Sequence, residues 1–182
     1  PWTLVTGVEP APEEPMVSGE HFCAVAAEVP LRAGTRAEFV QKAADFVNER
    51  AWGDLTATMV LDDESAEHAD VVDAVEHAAL ALRYGTVGIN VWGATAYASG
   101  VTPWGAWNGH AAEGQSGLGF VNNALMLQGV RKTIARAPFR RRLKPVEFMR
   151  DGRRMGRRLA DFQQNPGALS FLGLGWSALR DS

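Results

Sequence analysis

Cysteine is nearly absent from this chain: Cys23 is the only one, so no internal disulfide framework is possible. Four scattered histidines, His21, His68, His77 and His110, lack zinc-ligand spacing, and no structural metal is expected. No apolar run approaches the roughly eighteen residues needed to span a bilayer, and the start has neither the basic nor the apolar region of a secretory signal. The expectation is a soluble, cytoplasmic protein. With 182 residues, 46% hydrophobic and 21% charged, disorder throughout is excluded and one domain with a real core is expected. The first residue is Pro1 rather than methionine, and a Pro-rich stretch follows at Glu9-Pro10-Ala11-Pro12-Glu13-Glu14-Pro15, which fits a fragment or a processed product.

Basic residues are scarce over most of the length. Residues 1 to 130 hold 5 of the 18 Lys and Arg and 17 of the 21 Asp and Glu, for a charge of -12; residues 131 to 182 carry +9. A basic tail on an acidic body suits an anionic partner, or an acidic surface of a neighbouring subunit. The tail predicts a helix over 147 to 162, with Phe148, Met155, Leu159 and Phe162 on one side and Arg150, Arg153, Arg154, Arg157 and Arg158 largely on the others. Such helices most often pack on their own protein, so membrane contact is not expected, nor is a nucleic-acid partner. The stretch from Leu169 to Leu179 is apolar enough to dock on a surface.

Periodicity gives the rest of the fold. A strand is expected over Ala24 to Val29, ended by Pro30. Thr35-Arg36-Ala37-Glu38 has capping-box spacing and should open a helix with Phe39, Val40, Ala43, Phe46 and Val47 on its apolar face. Leu55 to Leu61 alternates as a second strand, and Ser65 or Asp70 can cap a second helix that buries Val71, Val72, Val75, Ala78, Ala79 and Leu82 before Gly85 terminates it. Thr86 to Val91 is a third strand. Strand and helix in alternation predict an α/β fold, a parallel sheet with flanking helices. From Trp92 to Gly119 runs a segment too long for a mere connection, then a helical turn at 122 to 127 and a strand at 130 to 137.

Common catalytic motifs fail on single residues. Gly114-Gln115-Ser116-Gly117-Leu118 nearly forms a nucleophile elbow, but Leu118 stands where the second glycine is required. Gly117-Leu118-Gly119 and Gly173-Leu174-Gly175 begin like dinucleotide fingerprints and lack the third glycine. Cys23, among small apolar residues at a strand entrance, is expected to be a buried structural thiol.

An ordered set of weaker motifs remains. Glu20-His21-Phe22-Cys23-Ala24-Val25 is followed by Gly85-Thr86-Val87-Gly88-Ile89-Asn90, then Pro103-Trp104-Gly105, then Ser116-Gly117-Leu118-Gly119. In that order and spacing, residues 18 to 137 resemble the C-terminal part of the aldehyde dehydrogenase superfamily, whose pattern reads Glu-x-Phe-Gly-Pro-Val, Gly-x-Val-x-Ile-Asn, Pro-Phe-Gly-Gly and Ser-Gly-x-Gly. Cys23 and Ala24 replace glycine and proline, Trp104 replaces phenylalanine, Ala106 replaces glycine, and the segment from Asn90 to Ser116 is longer than usual. A divergent branch with an altered substrate entrance is implied.

The resemblance implies a division into a Pro-rich lead-in (1–17), the C-terminal part of a catalytic domain (18–129), an oligomerisation strand pairing with another subunit (130–137) and a basic tail (138–182). It implies oxidation of an aldehyde to a carboxylic acid with NAD or NADP. Glu20 would accept from the ribose hydroxyls of the cofactor, and Phe22 would lie beside the nicotinamide. Trp92, Tyr97, Trp104 and Trp107 would line the channel for a small-molecule aldehyde. The family's cysteine nucleophile and dinucleotide-binding half precede the region resembled, so the chain alone is expected to be inactive, with no catalytic residue or metal ligand of its own. The alternative is a non-catalytic association module that kept the fold and the subunit-pairing strand.

Overall fold

The computed structural model describes residues 2–11, 13–107, 114–139 and 152–180. The chain divides into two units, 1–139 and 140–182. The first is a mixed α/β arrangement built on three parallel strands, β3 (Thr56–Met59), β4 (Thr86–Ile89) and β7 (Thr133–Arg136), in the order β3-β4-β7.

Alternation along these strands decides what covers each face of the sheet. Ala57 and Met59 of β3, Val87 and Ile89 of β4 and Ile134 of β7 pack with helices α2 (Arg36–Glu49) and α4 (Ala69–Ala81), joining Ala44, Val75, Ala78, Ala79 and Leu82 in the core. The opposite face carries Thr56, Thr58, Thr86, Gly88 and Thr133, and the chain after β4 folds back over it. There Gly93 N–H donates to Thr58 Oγ1 at 3.2 Å, and Thr133 Oγ1 donates to the Pro103 carbonyl at 2.7 Å. Gly88 is required beneath this crossing, because a Cβ there would lie 2.1 Å from the Val91 carbonyl oxygen.

The predicted start of α2 is observed. Thr35 is its N-cap and accepts from the Glu38 amide at 3.1 Å, while Glu38 reaches back one residue further than expected, accepting from Gly34 N–H at 2.6 Å and pairing with Lys42 at 2.7 Å. Lys42 first, and the Gly34 amide second, hold the Glu38 carboxyl below its ordinary pKa. This clasp is therefore present above the ordinary carboxylate pKa and is lost as pH falls through the lowered one. Thr35→Ala should destabilise the first unit by about 1 kcal/mol, the usual cost of a lost N-cap, and urea unfolding would show it. An unchanged midpoint would mean that Gly34 and Glu38 hold the helix start without it.

Several expectations are corrected. Neither Ser65 nor Asp70 caps the second helix: Asp62 caps a separate short turn, α3 (Asp63–Ala66), by accepting from Ser65 N–H, and His68 precedes α4 without a side-chain cap. Nor does Gly85 end α4, which stops at Ala81 with the Leu82 amide bonded to the Ala78 carbonyl. The strand expected over 24–29 is β2 (Val25–Ala27), and it stands outside the three-stranded sheet. It pairs in parallel with β1 (Thr3–Val5) from the lead-in, which supplies the amides and carbonyls that the main sheet does not. Cys23 is exposed, not buried.

The segment 130–137 is expected to pair with another subunit; within its own chain one side of β7 lies alongside β4 from Thr86↔Thr133 to Ile89↔Arg136, and Ile134 packs on the core. Its charged neighbours are also used internally. Arg136 pairs with Glu76, and Lys132 Nζ donates to the carbonyls of Ala79, Leu80 and Leu82 at the end of α4.

The second unit contains α6 (Gly152–Gln164) and α7 (Ala168–Arg180), which pack on each other with Phe162 and Phe171 ring centroids 6.0 Å apart. The predicted tail helix is thus observed from Gly152 on, while Phe148 and Arg150 lie outside the described residues. No helix among the described residues is long and apolar enough to cross a membrane.

Candidate functional site

Where β3 and β4 begin, four segments converge. Asp54, just before β3, accepts through its carbonyl from Gly85 N–H at 2.9 Å and from Trp107 N–H at 3.1 Å. Its own amide donates to Ser116 Oγ at 3.0 Å, and the neighbouring Gly53 amide donates to Gln115 Oε1 at 2.7 Å. Ser116, which fails as a nucleophile elbow, is thus a strap that ties the late glycine-rich run to the entrance of β3.

Two clefts flank this junction and share Trp52, Gly53 and Tyr84. The larger, 730 Å³, adds Asn48, Arg50, Asp54, Arg83, Trp107 and Gln115; the smaller, 380 Å³, adds Glu20, His21, Leu55, Thr56 and Ser116. Tyr84 is buried between them, and burial, with the Asp54 charge second, raises its phenol above the ordinary pKa and keeps it neutral. Asp54 Oδ1 and the hydroxyls of Thr56 and Thr86 are buried without a hydrogen-bond partner among the described residues. Buried polar atoms in that state are uncommon, and they leave one carboxylate acceptor and two hydroxyls, each donor and acceptor, unused.

The two expected cofactor residues are separated by their surroundings. Glu20 lines the smaller cleft. Phe22 is 93% exposed, at the apex of a tight turn in which Cys23 N–H donates to the His21 carbonyl at 2.7 Å. His21 Nε2 is engaged with the Pro15 carbonyl at 2.9 Å. Glu20 offers a carboxylate on a cleft wall and Phe22 an exposed ring face, but Phe22 does not line the cleft that Glu20 does.

The four aromatic residues expected along one channel fall into separate places. Tyr97 and Trp104 meet edge to face with centroids 5.9 Å apart, fixed by the antiparallel pairing of β5 (Trp104–Gly105) with β6 (Phe120–Val121) and by Asn122 Nδ2 donating to the Tyr97 carbonyl at 3.0 Å. Trp107 lies instead on the wall of the larger cleft, with Lys132 Nζ 4.7 Å from its ring centroid. Trp92 is 66% exposed at the start of the return segment. Asn90, with φ 57°, anchors the turn after β4 by donating to the Leu61 carbonyl and accepting from the Leu61 amide.

Sequence reasoning missed Asp54, Tyr84 and Arg83. The only local sign was a carboxylate between Gly53 and a strand, which on pattern alone reads as a turn residue. Among the described residues no group of three or more His, Cys, Asp or Glu could hold a metal ion. Set against models of protein families, curated proteins and solved structures, the chain matches none of them.

Proposed function

We propose that this chain is part of an NAD(P)-dependent oxidoreductase that converts an aldehyde to a carboxylic acid, contributing cleft and channel walls rather than the nucleophile. The observation that supports this is contact between the segments whose order carries the resemblance. Pro103-Trp104-Gly105 reaches a strand pairing with the residues that follow Ser116-Gly117-Leu118-Gly119, and Ser116 reaches the entrance of the sheet that also holds β4. Order in a sequence does not require such contact, so the two are independent supports.

In this reading the Glu20 carboxylate accepts from ribose hydroxyls, and the Phe22 ring offers a flat face to the nicotinamide. NAD or NADP, when bound, supplies a hydride acceptor. Tyr97 and Trp104 form a rigid apolar edge suited to a large or aromatic aldehyde. Cys23 is not given the nucleophile's role, because its neighbour His21 is turned to Pro15. The alternative, an association module without chemistry, draws on the three-stranded sheet, whose outer strands β3 and β7 are each paired on one side only among the described residues.

Aldehyde-dependent formation of NADH or NADPH by the native gene product tests the proposal. In that protein Trp104→Ala should change the kcat/KM ratio between a bulky aromatic and a small aliphatic aldehyde by about tenfold or more, since a lost packed ring costs about 3 kcal/mol. Equal losses for both substrates would confine Trp104 to packing. Absence of any aldehyde-dependent nicotinamide reduction would overturn the reading and leave the association module. The isolated 182-residue chain should form no NADH or NADPH; turnover that vanishes in Cys23→Ser would overturn the division of labour.

A further inference from the structure

The second unit carries a surface that the proposed chemistry does not use. Residues 162 to 179 contain no charged side chain, and most of them form α7. Helical spacing gives α7 two apolar sides. Phe171 turns toward Phe162 of α6, whereas Leu169, Leu172 and Trp176, at steps of three and four, line a different side. These three are 87%, 65% and 68% exposed, so among the described residues of its own unit the stripe has no partner. An apolar stripe this continuous, with a tryptophan in it, is unusual on a surface in contact with water alone.

Cations border it. Arg157 and Arg158 of α6 are exposed, and Arg158 Nη1 lies 3.7 Å from where a Cβ on Gly173 of α7 would stand. Residues 140 to 182 hold ten Lys and Arg against four Asp and Glu. The missing partner must therefore accept apolar side chains to a shallow depth while presenting negative charge beside them.

We propose that α6 and α7 seat on the surface of an anionic lipid bilayer, with Leu169, Leu172 and Trp176 in the headgroup and upper acyl region and Arg157 and Arg158 against the lipid headgroup charges. At 13 residues α7 is about 20 Å long, too short to cross the hydrocarbon core but suited to lying in its interface. Tryptophan favours that depth, since its ring is apolar and its N–H finds a partner there. An acidic protein surface would satisfy the arginines, but it would have to supply an apolar trough as well.

Flotation of the full chain with phosphatidylcholine vesicles, with and without phosphatidylglycerol, tests this. Binding to the anionic vesicles should exceed binding to the neutral ones by about tenfold and fall steeply with added salt. Leu172→Asp should abolish it, and Arg157→Gln with Arg158→Gln should weaken it by about thirtyfold, roughly 1 kcal/mol for each cation near the surface. Brominated lipid should quench a tryptophan component absent in Trp176→Phe. Helical content measured by circular dichroism separates lost binding from lost folding. No binding to anionic vesicles, equal binding by Leu172→Asp with helicity intact, or bromolipid quenching unchanged in Trp176→Phe would overturn the proposal. Concentration-dependent self-association abolished by Leu172→Asp, without vesicle binding, would assign the stripe to a second copy of the chain.

Discussion

Gly85→Ala is expected to destabilise the first unit so strongly that most of the chain is recovered unfolded or insoluble. A Cβ on Gly85 would lie 1.7 Å from the carbonyl oxygen of Gly105 and 2.7 Å from its carbonyl carbon. Both are main-chain atoms, so no side chain can rotate away. Gly105 is itself held by its pairing with Phe120, and the Gly85 amide and carbonyl are bonded to Asp54 and Thr133. Relief requires separating the return segment from the sheet, which also opens the Asp54 junction. Overpacking in a core costs about 1–3 kcal/mol where neighbours can move, so about 4 kcal/mol or more is expected where they cannot, close to the whole stability of a small domain. Gly100→Ala is the control: it lies in a turn with nothing within 4 Å of its Cβ, and its φ of +70° should cost only about 1 kcal/mol. A Gly85→Ala protein with a near-wild-type urea midpoint would show that β4 and the 103–107 segment are not in contact.

Lys132→Met should cost about 2–3 kcal/mol although the residue is only half-buried. Three carbonyls at the C-terminal end of α4, those of Ala79, Leu80 and Leu82, converge on its ammonium, and the Trp107 ring lies on another side. Burial pulls the lysine pKa down from its ordinary value, while the helix end and the indole face favour the charge. Methionine replaces the aliphatic stem but leaves those carbonyls without their donor. Urea unfolding of Lys132→Met against wild type measures the loss, and Arg131→Met, at an exposed neighbour, should change stability by less than about 0.5 kcal/mol. Equal effects at the two positions would mean that Lys132 is as solvated as Arg131.

Lys132 also marks where reading the sequence stops. In 130–137 charges alternate onto both faces, which reads as a strand that cannot be buried in its own domain. The parallel register of β7 on β4 carries Lys132 to the end of a helix fifty residues earlier, where a cation is wanted. Nothing local encodes that meeting. The same holds for Asp54: its sequence neighbours suggest a turn, and only the return of 103–107 and 114–116 makes it the centre of a junction.

The elements with short-range causes were determined by the sequence itself. Thr35 and Glu38 set the start of α2, the spacing of Val71, Val75, Ala78 and Ala79 set the buried side of α4, and the β-branched runs set β3 and β4. Capping and periodicity act over a turn or two, so they can be read in order along the chain. Tertiary structure decided which strands share a sheet, which aromatic rings meet and which side of α7 faces α6. β2 reads as well as β3, yet it went to β1; Tyr97 found Trp104 while Trp107 found Lys132; and the stripe on α7 is indistinguishable in sequence from one packed in a core. Each outcome depends on what lies opposite a residue in space, and long-range pairing is fixed by the joint satisfaction of main-chain hydrogen bonds and packing rather than by any local residue preference.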